Sequence, residues 1–291
     1  MASIPLKWDS NFRANLALWP KVLSNIAALV KCDGQPYVEE ELLKTFPAAQ
    51  SEQDAPAEKT ASMKKGKNGA TKFPKDSRAV RNAYEALALT GLAYKETASP
   101  PILRLSDLGI SVFTFLGVIG DKSFANEKNR RVLADVMISG LSIVVEYRAI
   151  WMLLRSTNGL LTNEELNRAM QRIQYLEDVE ETGQVVLAAR SKNDPKLIGP
   201  RLYNDEEYDV EGKRTDQRKV INPQFLLAGG GRLFISMEDG TDFRRLEDWA
   251  VPLIDRRLED PSTLIHASTD EESVRLMSEN ACVTSRLWRE W

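Results

Sequence analysis

The side chains best suited to chemistry in this sequence are basic, and they gather in two runs. In the first, Lys59, Lys64, Lys65, Lys67, Lys72 and Lys75 lead into Arg78, Arg81 and Asn82. Lysines placed this way neutralise phosphates and position the helix beyond them. Arg and Asn carry the paired donors and acceptors that match guanine and adenine edges in the major groove. Arg78 and Asn82 stand four apart, so on a helix buried through Val80, Tyr84 and Leu87 they share the opposite face, with Arg81 alongside. In the second run, Lys213, Arg214, Arg218 and Lys219 precede Asn222-Pro223, a cap and first helical residue. A helix start flanked by cations is an anion site, because orphan amides and the helix dipole act together. Arg232 opens an extended piece and would reach a backbone or a minor groove. Either run alone also fits a solvated charged loop. Two runs at equivalent places in two similar layouts point to a nucleic acid.

Other chemistry is poorly provided for. His266 is the only histidine, which argues against Ser-His-Asp and multi-histidine metal sites, and it reads as a surface or packing residue. Cys32 and Cys282 lie far apart with no CxxC pair, so no cysteine zinc site is expected. Asp194 with Glu211-Gly212-Lys213 matches the letters of a magnesium nuclease core, but no apolar strand holds the Glu and Lys. Gly229-Gly230-Gly231 lacks the GxxxxGK[ST] pattern of a phosphate loop and reads as a flexible helix end. No catalytic residue, metal or cofactor is therefore assigned. Trp288 and Trp291, either side of Arg289, are expected to dock on the body of the protein or on a partner subunit.

A chain of 291 residues, 43% hydrophobic and 28% charged, has ordinary globular composition and length for two modules. Its best apolar run, Val132 to Leu154, is interrupted by Asp135, Glu146 and Arg148, so it reads as buried helix and no membrane contact is expected. Met1 to Asn15 shows no secretory pattern, which makes the cytoplasm the expected compartment. With 39 Lys and Arg against 42 Asp and Glu, the net charge is -3, and no global positive field draws the chain to nucleic acid. Any such contact must use local patches.

The elements that would position these residues are set by periodicity and caps. In a first domain, 1–121, Pro20 to Lys31 is a helix ended by Asp33-Gly34, and Tyr37 to Phe46 is a second. A mobile basic loop, 48–73, then precedes a third helix, capped at Asp76-Ser77 and stopped near Thr90-Gly91. Leu92 to Glu96 and Ile102 to Leu105 make a hairpin turning at Ser99-Pro100-Pro101, and Ser106 caps a closing helix, Leu108 to Leu116. A second domain, 122–260, opens with a connecting helix, Asn126 to Gly140, and a helix from Val144 to Ser156. Thr162 and Glu165 form a capping box for a helix running to about Ile173. A polar insertion, 174–216, carries a helix from Asp178 to Arg190. Then come a short helix, Gln224 to Ala228, an extended piece, Arg232 to Ser236, and a final helix capped by Thr241 with Phe243, Leu246, Trp249, Leu253 and Ile254 on one face. A polar C-terminal tail, 261–291, completes the chain.

Three helices, a two-stranded hairpin and a closing helix are the order of a winged-helix domain, and the second half repeats it less cleanly. Gly91-Leu92-Ala93 through Ile102-Leu103-Arg104-Leu105-Ser106-Asp107-Leu108-Gly109 looks like the wing and its exit. Over about Pro20 to Asp260, this ordering resembles the DNA-recognition regions of type IIS and related restriction endonucleases, built from tandem winged-helix subdomains with long polar insertions before a recognition helix. The resemblance implies target recognition. The separate nuclease domain of those enzymes has no obvious counterpart here. The expectation is therefore a mainly α protein with short β-hairpins, of α+β class, made of tandem winged helices. It would recognise double-stranded DNA by sequence, as the recognition subunit of a restriction or anti-phage defence system or as a transcriptional regulator. A partner subunit or a homodimer stays open. The alternative is a winged-helix interaction scaffold in a larger nucleic-acid-processing complex, which the acidic stretches Glu177-Asp178, Glu180-Glu181 and Asp205-Glu206-Glu207 suit.

Overall fold

The computed structural model describes residues 3–6, 30–42, 81–119, 131–199, 234–236, 244–259 and 263–284, less positions 82, 83, 86, 133, 134, 136 and 137. Over these residues the protein is mostly helical, with two small antiparallel sheets.

Residues 30–32 close a helix, and the chain turns at Asp33-Gly34, where Gly34 takes a φ of 77° that a side chain would resist. Pro36 then forms an isolated antiparallel bridge with Ile102. The next helix is α1 (Glu39–Leu42), and a further helix carries Arg81, Tyr84 and Leu87. Tyr84 and Leu87 are buried, on the face that their helical spacing predicts. β1 (Ala93–Glu96) and β2 (Ile102–Leu105) form the expected hairpin, with Ala93 opposite Leu105 and Glu96 opposite Ile102. Residues 34–37 lie on the other side of β2: Gly34 N–H donates to the Leu103 carbonyl, Leu103 N–H to that of Gln35 and Tyr37 N–H to that of Pro101. Ser106 caps the closing helix, α2 (Asp107–Ile119), by accepting the Gly109 N–H while its hydroxyl donates to the Gly91 carbonyl.

The second half begins with a helix through Ile138 and Ser139 and with α3 (Val145–Ser156). Gly159, at φ 72°, turns the chain into β3 (Leu160–Leu161). The capping box of Thr162 and Glu165 forms with both of its hydrogen bonds and starts α4 (Asn163–Arg172). α5 (Asp178–Ser191) and a 3-10 turn, Pro195–Ile198, come next. β4 (Phe234–Ser236), β5 (Arg244–Leu246) and α6 (Val251–Glu259) come after them. The sheet order is β3-β5-β4, all antiparallel. In that sheet the last strand, β5, lies in the middle.

Three features differ from the expectations of the sequence. Residues Arg244 to Leu246 are strand where a helix from Thr241 was expected, because β5 takes ladder hydrogen bonds from neighbours on both sides and that pairing outweighs the helical spacing of Phe243, Leu246 and Trp249. α5, expected within a polar insertion, packs on α3 through Val179, Thr182, Gly183, Val186 and Ala189. Its exposed residues include Glu180, Glu181 and Gln184. The expected C-terminal tail contains α7 (Glu271–Thr284), which packs on α2 and β1 and buries Val274, Met277, Ser278 and Ala281. Those positions recur at short helical intervals, so α7 is an amphipathic helix belonging to the first half's core. One continuous hydrophobic cluster runs from Cys32 to Ala281. Among the described residues no helix is long and apolar enough to cross a membrane.

Candidate nucleic-acid interface

Arg81 is the one basic candidate that falls among the described residues. Lys64, Lys65, Lys67, Lys72, Lys75, Arg78, Asn82, Lys213, Arg214, Arg218, Lys219, Asn222 and Arg232 lie outside them, as do Glu211-Gly212-Lys213, the Gly229 to Gly231 triplet, Trp288 and Trp291.

Arg81 is 53% exposed, and its guanidinium lies against the carboxylate of Glu39 at the start of α1. Arg81 Nε donates to Glu39 Oε1 at 3.1 Å, and Nη2 donates to Oε2 at 3.2 Å. These hydrogen bonds, with the attraction between the opposite charges, raise the guanidinium pKa above its usual value. The pair ties the helix of Arg81 to α1.

Behind this pair lies an aromatic clamp. Lys95 of β1 sets its ammonium 3.6 Å from the centre of the Tyr37 ring and 4.2 Å from that of Tyr84, and the two rings meet edge to face. Burial pulls the Lys95 amine below its ordinary pKa, against the opposing pull of Glu39 and Glu85. Tyr84 also donates its hydroxyl to the Thr269 carbonyl. One cation thereby joins the segment ahead of α1, the Arg81 helix and the hairpin.

Among the described residues, Arg104 and Arg275 near the hairpin are also engaged within the protein. Arg104 pairs with Glu96 at 2.9 Å across the two strands. Arg275 pairs with Glu271 and stacks over Tyr94. The tip of the hairpin, Thr97-Ala98-Ser99-Pro100-Pro101, carries no charge.

In the second half, α5 packs on α3 and α4. Its outward residues are Glu180, Glu181, Gln184 and Ala188, and Glu181 pairs with Arg172 at 2.7 Å. Arg190, at its other end, is turned inward to the Glu165 carboxylate and the Leu160 carbonyl. Positive charge on α5 therefore serves the fold, and its exposed first turns are negative.

Sequence reasoning missed Glu39, Tyr37 and Lys95, because the 42 residues separating Arg81 from Glu39 close up only through helix packing. It also left His266 without a partner; in the structure, His266 Nδ1 lies 2.8 Å from the wholly buried carboxylate of Glu146. Comparison of the chain with protein-family models, curated proteins and solved structures finds no match.

Proposed function

We propose that this chain is a sequence-recognising double-stranded DNA-binding protein built from tandem winged helices. The observation that supports this reading is the order in the first half of a helix carrying Arg81, an antiparallel hairpin and a closing helix, with Pro36 bridged to β2. The basic residues between Lys64 and Arg78 lead directly into the Arg81 helix. In this reading the lysines supply salt-dependent attraction to phosphates, and Arg78, Arg81 and Asn82 read bases. The recognition subunit of a restriction or defence system and a transcriptional regulator share this physical activity.

The acidic outward face of α5 favours a second reading for the second half, that of a surface docking a protein partner. Phosphates would be repelled by Glu180 and Glu181, whereas a basic protein surface would not.

Fluorescence anisotropy with a pool of random duplexes, over a salt series and with sequencing of the bound fraction, tests the proposal. A steep salt slope with an enriched motif is expected. Arg78→Ala combined with Arg81→Ala should reduce binding of that motif to the level of unrelated DNA. Absence of binding at low salt would overturn the DNA reading and leave the scaffold.

A further inference from the structure

The arrangement of Arg81 on Glu39 has a stereochemical consequence. A guanidinium offers five N–H donors arranged as two forks, one along the Nε and Nη2 edge and one end-on across Nη1 and Nη2. Glu39 occupies the first edge with both of its oxygens. Among the described residues the end-on fork has no partner, on a side chain more than half exposed and fixed in direction by two hydrogen bonds. Pairing with a carboxylate offsets the positive charge that a phosphate contact would use. It leaves intact the two parallel donors that a guanine O6 and N7 accept.

We propose that Arg81 reads a guanine through its end-on fork, and that Glu39 is the positioning residue that aims it. This rests on the DNA-binding reading above. The clamp of Lys95 between Tyr84 and Tyr37, two residues before Glu39, holds the Arg81 helix beside the segment that carries Glu39. Arg81 thus contributes to base choice and little to salt-dependent attraction, while the lysines do the reverse.

The test compares sequence selection and salt dependence for the full chain, Arg81→Lys and Glu39→Gln, with thermal unfolding of each as a check on folding. A lysine keeps the charge but has no fork. Arg81→Lys is therefore expected to lower the preference for guanine at one position by about tenfold or more, with the other positions and the salt slope unchanged. Glu39→Gln is expected to weaken the same preference at the same position. Two results overturn the inference while leaving DNA binding standing. One is an Arg81→Lys protein that selects the unaltered motif. The other is a Glu39→Gln protein that binds all sequences more tightly with guanine preference intact, which would make Glu39 a repulsive gate. Failure of the native chain to bind any duplex overturns the DNA reading and this inference together.

Discussion

The carboxylate of Glu146, wholly buried on α3, meets His266 Nδ1 at 2.8 Å and accepts the Ala267 N–H at 3.0 Å. The same strap is stitched to the chain ahead of α3 by Ile265, whose N–H donates to the Ile143 carbonyl and whose carbonyl accepts the Val145 N–H. A buried carboxylate needs its full set of partners, because the loss of one leaves polar atoms in a medium that solvates them poorly. His266→Ala should therefore cost about 1 to 3 kcal/mol in urea unfolding. A surface histidine would cost a few tenths at most. An unchanged midpoint would show that solvent replaces the imidazole freely.

A second prediction concerns the close approach of two helices in the second half. A Cβ built on Gly183 of α5 would stand 2.6 Å from the Cβ of Ser156 on α3 and closer still to its hydroxyl. Glycine is needed there for the approach of the two helices. Gly183→Ala should destabilise by about 1 to 3 kcal/mol, in spite of alanine's better helix propensity. Adding Ser156→Gly removes the atoms in the way, so the double variant should recover more than the two separate effects predict. Strict additivity in chemical denaturation would show that the helices already stand apart.

Local features are the most legible in the sequence. The Thr162 and Glu165 capping box, the hairpin around Ser99-Pro100-Pro101 and the buried spacing of Tyr84 and Leu87 each depend on residues a few positions apart, and each forms as its local pattern predicts. Where distant partners decide, local pattern misleads. Arg244 to Leu246 is strand because β3 and β4 flank it. α7 has the composition of a tail because Glu271, Glu272 and Glu279 dominate it, while its four buried positions gain meaning only against α2 and β1. The pairings of Arg81 with Glu39 and His266 with Glu146 span 42 and 120 residues, and no local pattern encodes them.

The placement of α7 predicts how the protein responds to shortening. Met277 is 1% exposed and packs beside Gly91, at the turn that ends the Arg81 helix. Met277→Ala removes buried volume from the first half's core and should cost about 2 to 5 kcal/mol. Ending the chain at Asp270 should remove the cooperative unfolding of the first half, seen as a broad or absent transition in near-ultraviolet circular dichroism. A true tail would leave that transition where it was.

The start of α7 carries a pH dependence whose sign is set by its cap. Asp270 Oδ1 accepts the Ser273 N–H at 2.8 Å, and Oδ2 accepts the hydroxyls of Ser268 and Ser273. Burial opposes the charged form, but these hydrogen bonds outweigh it and hold the Asp270 carboxyl below its usual pKa. A carboxyl with a lower pKa in the folded state contributes stability above its unfolded value, about 3.9, and loses it as pH falls through the folded value. Asp270→Ala should therefore cost about 1 kcal/mol at neutral pH. The gap from the native protein should narrow as pH falls below about 4. Asp270→Asn separates capping from charge, because asparagine caps as well as aspartate yet does not titrate. Its stability should stay near that of the native protein at neutral pH and lose less on acidification. A native-to-Asp270→Ala gap that held constant from neutral pH to acid would show that the carboxylate's charge adds nothing to the cap.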